Sequence, residues 1–177
     1  MSPITFETTL FKINNWIILQ LPKEESMKLP SRGMVLVTGT LNNTPFKTVL
    51  EPDGRGSHWF KVDNNLLKST KVNEGKTVTV TMEPSQEWPE PTLPADLKKA
   101  LSDDPKAKSI WDDITPMARW DWIRWIRSTN NEDTRKKHIV VAFSKLKKGT
   151  RRPCCFNRSM CTEMEVSKGG LLLAPQL

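Results

Sequence analysis

Four prolines, Pro84, Pro89, Pro91 and Pro94, fall within eleven residues and cut this 177-residue chain into two stretches of different texture. Each proline fixes φ and removes a backbone donor, so neither a helix nor a central strand runs through the segment. Whatever the chain folds into is therefore read separately on either side. Residues 84–94 are expected to be a stiff, extended linker. The length suits one ordinary domain or two small ones.

Before the prolines the chain reads as strands. Trp16–Leu21 ends at Pro22, and Met34–Leu41 is β-branched, with Gly39 where one face lacks a side chain. Such a glycine marks a bulge or a close approach of backbone. Asn42 and Asn43 sit between two extended runs and tolerate positive φ, a hairpin signal. Val78, Val80 and Met82 alternate with threonines. Six short strands in the first 83 residues point to a small antiparallel barrel or sandwich.

After the prolines helices dominate. Asp104-Pro105 and Thr115-Pro116 each place an N-cap before a proline at the first helical position. Ala118, Trp122, Trp125 and Ile126 share an apolar side, with Arg124 and Arg127 expected off it. Asn130 is read as the cap of a last helix, with Glu132 and Asp133 in its first turn, Lys145, Lys147 and Lys148 in its last, and Gly149 as its stop. The fold class is α+β: a barrel over 1–83, a linker over 84–94, a helical module over 95–160, and a tail over 161–177. The tail lacks periodicity and is expected to be flexible, above all from Ser167.

Charge is uneven. The chain carries a net +7, yet residues 1–83 hold ten Lys/Arg against eight Asp/Glu, while residues 116–158 hold twelve against three. The run Arg135, Lys136, Lys137, Lys145, Lys147, Lys148, Arg151 and Arg152 is either a solvated helix face or a patch for phosphates or an acidic partner. Trp120, Trp122 and Trp125 would stack bases, with Arg119, Arg124 and Arg127 on phosphates, unless the rings are core; core is favoured for Trp122 and Trp125. No run of apolar residues is long enough to span a bilayer, and no secretory signal opens the chain. Cys154, Cys155 and Cys161 are an odd set that suits a reducing, cytoplasmic compartment.

The residues that would carry chemistry are few. Lys47, Arg55 and His58 are the candidates for contacts to a ligand in the barrel, although a structural turn explains Arg55 to His58 better. The three cysteines with His138 lack the two-by-two spacing of structural zinc, so no metal is expected. Arg151, Arg152 and Arg158 would favour a thiolate at the vicinal Cys154 and Cys155, but inert thiols are the simpler reading. No nucleophile has a defensible base, and no cofactor motif is present.

Two stretches carry a family resemblance. "TGTLNNTPFKTVLEPDGRGSHWFKV" with "VNEGKTVTVTME" resembles the small bacterial and archaeal domain of unknown function at the front of many YdeI/OmpD-associated proteins. "TPMARWDWIRWIRSTNNEDTRKKHIVVAFSKLKKGTRRPCCFN" resembles the C-terminal module of that group, also called bacteriocin-protection proteins. The match runs through Thr115, Pro116, Trp125, Ile126, Thr134, Arg135, Gly149, Arg151 and Arg152, with Asp133 where glutamate is common. The resemblance implies a double-split or similar small barrel, of a kind that dimerises and in some relatives binds DNA. It also implies a link to envelope stress or antimicrobial-peptide tolerance, and no established enzymatic activity. A binding or stress-tolerance protein is thus expected, with the helical module as its interaction surface. A nucleic-acid-binding protein is the alternative, and an enzyme on a small polar ligand in the barrel comes third. The partner is open: an acidic protein, a nucleic acid or a second copy of the chain.

Overall fold

The computed structural model describes residues 2–154 and 156–175. They divide into two units. The first takes in residues up to 87 and, from the far end of the chain, 157–161 and everything after 164; the second takes in 88–156 and 162–164.

The first unit is built on seven antiparallel strands: β1 (Ile4–Thr9), β2 (Phe11–Ile13), β3 (Trp16–Gln20), β4 (Val35–Leu41), β5 (Thr44–Pro52), β6 (His58–Lys61) and β7 (Thr77–Pro84). Their order is β1-β7-β4-β5-β6-β3-β2. The two edge strands are consecutive in sequence, with Leu10 alone between them, so the chain itself joins the edges of this half-barrel. Leu10 is 1% exposed and its carbonyl accepts from Gly75 N–H at 2.7 Å.

Local chemistry sets the register. Asn42 and Asn43 have φ of 46° and 68°, the two positive values a two-residue hairpin turn needs, and pair Leu41 with Thr44. Gly39 stands opposite Met82, where a Cβ would come within 1.9 Å of the Thr81 carbonyl oxygen. The glycine is there for close backbone approach, as its place in the strand suggests.

The sheet has two apolar faces. Ile17, Leu19, Phe60, Val37, Leu41, Val78 and Val80 pack inside. Their neighbours Ile13, Ile18 and Trp59 point outward, and Cys161, Val166 and Leu172 cover them. The tail expected to be flexible supplies this cover. β8 (Ser167–Lys168) and β9 (Leu171–Leu172) form a small hairpin. Leu172 N–H donates to Asp53 O at 2.9 Å, and the Arg55 guanidinium donates to Leu172 O at 2.7 Å. Gly54 lets it in: a Cβ there, at φ +83°, would lie 2.1 Å from Gly170 O. Periodicity misses such a segment because its buried apolar residues, Cys161, Val166 and Leu172, follow neither a helical nor a strand repeat. Two short helices, α1 (Lys23–Ser26) and α2 (Asn64–Thr70), complete the unit.

The second unit consists of α3 (Ala95–Ser102), α4 (Pro105–Asp113), α5 (Pro116–Ile126) and α6 (Glu132–Lys147). Asp104 and Thr115 cap α4 and α5 by accepting from Ala107 N–H and Ala118 N–H, each at 3.1 Å. The cap of α6 is Asn131, one residue beyond the expected Asn130; its side chain accepts from Thr134 N–H at 2.9 Å. Leu97, Leu101, Trp111, Trp122, Ile126, Phe143 and Leu146 form the core. The proline stretch is not a free spacer. Trp88 meets Trp120 edge-to-face with centroids 6.4 Å apart, and Pro89 O accepts from Trp120 Nε1 at 2.8 Å.

Leu172 is 2% exposed and Leu173 36%. Leu172→Ala is expected to cost about 3 kcal/mol in urea unfolding, and Leu173→Ala less than about 0.5 kcal/mol. Two equally silent substitutions would mean that the tail does not cover the sheet.

Candidate functional site

The three barrel candidates have different partners. His58 is fully buried. Its Nε2 lies 2.8 Å from Gly33 O and its Nδ1 2.6 Å from Ser26 Oγ. A carbonyl only accepts, so Nε2 carries the proton and Nδ1 accepts from the serine. The pair has the spacing of a nucleophile and its base, but Ser26 is also 0% exposed. Arg32 closes the knot, donating to Ser26 O at 2.6 Å, Leu29 O at 3.0 Å and Gly56 O at 2.9 Å. Asp53 accepts from Arg55 N–H, Ser57 N–H and Gln20 Nε2. Burial pushes the imidazole down from 6.5 to about 4, and Arg32 adds to it, against Gly33 O, Asp53 and Glu51. This is a sealed polar knot that holds loops together. Arg55 anchors the tail, and Lys47 lines a surface cleft with Lys61 and Ser69.

In the helical unit α5 is buried on nearly all sides, charges included. Arg119 donates through Nε and Nη2 to Glu90 at 2.9 and 2.5 Å, and through Nη1 to the carbonyls of Trp111 and Ile114 at 2.8 and 2.6 Å. Asp121, 1% exposed, accepts from Arg152 Nε at 2.8 Å. Arg127 pairs with Glu163 at 2.7 Å. Arg124 is 0% exposed, with its guanidinium 5.4 Å from the Phe156 ring centroid. Arg119 and Arg124 are therefore enclosed rather than displayed to phosphates, against the expectation that Arg124 lies off the apolar side. Of the tryptophans, Trp122 is core, while Trp120 and Trp125 are half-buried; Trp125 stacks on His138 at 4.2 Å.

The eight-residue basic run divides in the same way. Arg135 grips Asp96 at 2.6 and 3.1 Å, Lys147 meets Asp104 at 2.6 Å, Arg151 meets Asp113 at 2.9 Å, and Arg152 holds Asp121. Arg135 keeps the Asp96 carboxyl below its usual range, and Lys147 does the same for Asp104. These cations tie α6 and the segment after it to α3, α4 and α5. Lys145 Nζ lies 3.3 Å from Cys154 Sγ. Cys161 is buried under the tail, and Cys155 lies outside the described residues.

Lys136, Lys137 and Lys148 remain. All three are exposed, and among the described residues none takes part in an ion pair. Lys136 and Lys137 lie on α6 and Lys148 is the residue that caps its end, around Val140 and Val141, which are 68% and 39% exposed. Positions 137, 140, 141, 144 and 148 follow helical spacing, so they share the face opposite the buried Ile139, Ala142, Phe143 and Leu146. Charge counting missed the valines; the signal was two β-branched residues out of phase with the core positions of their helix.

Residues 90–149 match the family model described as "Bacteriocin-protection, YdeI or OmpD-Associated", and residues 6–82 match that of the domain of unknown function DUF1905. No curated protein matches the chain. No helix among the described residues is long and apolar enough to cross a membrane.

The knot gives a pH signature. Between about 6.5 and about 4 the unfolded chain takes a proton on His58 that the folded chain refuses, so stability present at neutral pH is lost as pH falls through this window. The full loss is on the order of 3 kcal/mol. NMR titration of the His58 ring is expected to show a midpoint near 4, and a midpoint near 6.5 would show the ring open to water.

Proposed function

We propose a non-enzymatic binding function for this chain, whose residues 6–82 match the DUF1905 model and whose residues 90–149 match the bacteriocin-protection, YdeI or OmpD-associated model, with the outward face of α6 as the docking surface for an acidic protein. The exposure of Val140 and Val141 between three lysines carries this reading. Two neighbouring valines in water contribute nothing to the helix, and their β-branching lowers its propensity. Against an apolar patch on a partner they are desolvated, and carboxylates at its rim meet Lys136, Lys137 and Lys148. The ion pairs of Arg135 with Asp96 and of Lys147 with Asp104 fasten the helix to its neighbours for this.

The nucleic-acid alternative has less support than the bare sequence lends it. Half of the basic run already meets aspartates, so about three phosphates are left to neutralise, and valines give phosphates nothing. A role in stress tolerance would follow from the identity of the partner.

Photo-crosslinking from a photoreactive residue at position 144, in the cells that make the protein, identifies the partner, and binding is then measured with purified components. Val140→Asp with Lys137→Glu is expected to weaken that complex at least about tenfold, and Lys68→Glu, on α2, to leave it unchanged. Equal affinity for all three proteins would overturn the proposal. Duplex DNA bound more tightly than roughly 10⁻⁴ M at physiological salt, with a salt slope above that for three phosphates, would move the assignment to nucleic acid.

A further inference from the structure

The half-barrel has a seam. β5 pairs with β4 along Thr44–Leu50, but β6 reaches β5 only at Glu51 and Pro52. From Thr44 to Val49 the strand thus has a ladder on one side. α2 stands over the gap without filling it, and a cleft of about 220 Å³ remains, lined by Thr44, Phe46, Lys47, Lys61, Asn65 and Ser69 among others. Unlike the sealed histidine knot, it opens to solvent.

Its lining is specific. Phe46 lies nearly parallel to Phe60, with centroids 5.4 Å apart and planes 20° apart, and Phe46 is only partly buried. A flat ring finds an aromatic floor there. Lys61 lines the cleft, and its Nζ sits 4.4 Å from the centroid of the Trp16 ring, which lies outside the lining. Lys47 stands on the other strand, and its ion pair, at 3.8 Å to Glu87, is exposed. Asp63, the one acidic group among the described lining residues, is engaged as the α2 cap, accepting from Leu66 N–H at 2.8 Å. The hydroxyls of Thr44, Thr48 and Ser69 and the Asn65 amide add donors.

We propose that this seam binds a small planar anion, a single ring system bearing a carboxylate or a phosphate, with the ring against Phe46 and the anionic group between Lys47 and Lys61. The volume is below the several hundred Å³ of cavities that hold drug-sized ligands, which limits the ligand to about one ring system. Two lysines around a bare phosphate would need no aromatic floor, and an apolar ring would need no lysines; the pairing selects a ligand with both. The proposal is independent of the α6 surface, which lies in the other unit.

The test is an amide NMR titration of the full chain with benzoate, adenosine 5′-monophosphate and inorganic phosphate. Saturable shifts at Phe46, Lys47, Lys61, Asn65 and Ser69 are expected with at least one ring-bearing anion, with a dissociation constant below about 1 mM. Whether benzoate or the nucleotide saturates distinguishes a carboxylate ligand from a phosphate one. The exposed pair Lys47→Glu and Lys61→Glu should weaken it at least about tenfold with the spectrum otherwise intact. Failure of both ring anions to saturate, inorganic phosphate binding as tightly as they do, or indifference to the lysine reversals would each overturn the proposal.

Discussion

A buried guanidinium or carboxylate is tolerated only when hydrogen bonds and an opposite charge replace the water it has lost, and α5 carries several such groups into the middle of its unit. Each is answered by a different part of the chain. Arg119 is met by Glu90 from the proline stretch, Asp121 by Arg152 beyond α6, and Arg127 by Glu163. Removing one partner would leave a charge short of its hydrogen bonds, at a cost below the ~3 to 5 kcal/mol of a fully buried pair, since Glu90 and Arg152 reach the surface. Apolar contacts are indifferent to which leucine meets which. These charges are not, and they fix the order in which the surrounding segments lie on α5.

That requirement also explains the basic composition. A helical unit that uses Arg135, Lys147, Arg151 and Arg152 as fasteners needs aspartates to receive them, and Asp96, Asp104, Asp113 and Asp121 do so. Net charge alone therefore overstates the surface available to a partner. On α6 itself what stays outside is small: Val140 and Val141, with Lys136, Lys137 and the capping Lys148 around them. In the barrel the same logic confines Ser26, His58 and Arg32 to holding loops, while the seam between β5 and β6 stays open.

Elements whose cause is local were legible in the sequence. The Asn42-Asn43 hairpin, the close approach at Gly39, and the N-caps at Asp104 and Thr115 each follow from the stereochemistry of one or two residues. The single-residue error at Asn130 is of the same kind, since two asparagines stood side by side and either could cap. Features set by distant pairing were not legible. Nothing near Arg124 announces that it is enclosed, because Phe156 lies thirty-two residues away. Nothing near Ser167 shows that its neighbours cover Trp59. Of the site candidates, Lys47 lines a cleft, but His58 is sealed and Arg55 holds the tail, for the same reason: their partners come from far along the chain.

The return of the tail has a consequence for biosynthesis. Strand β7, which completes the sheet, is finished at Pro84, but Leu172, which covers Ile18 and Trp59, emerges from the ribosome about ninety residues later. At ordinary translation rates that interval is on the order of ten seconds, long compared with the folding of a small domain. For that time the nascent barrel carries an indole and two isoleucines, Ile13 and Ile18, uncovered on its outer face while the helices are still being made. A chain organised in this way has its greatest exposure to aggregation, and its greatest need of a chaperone, midway through its own synthesis.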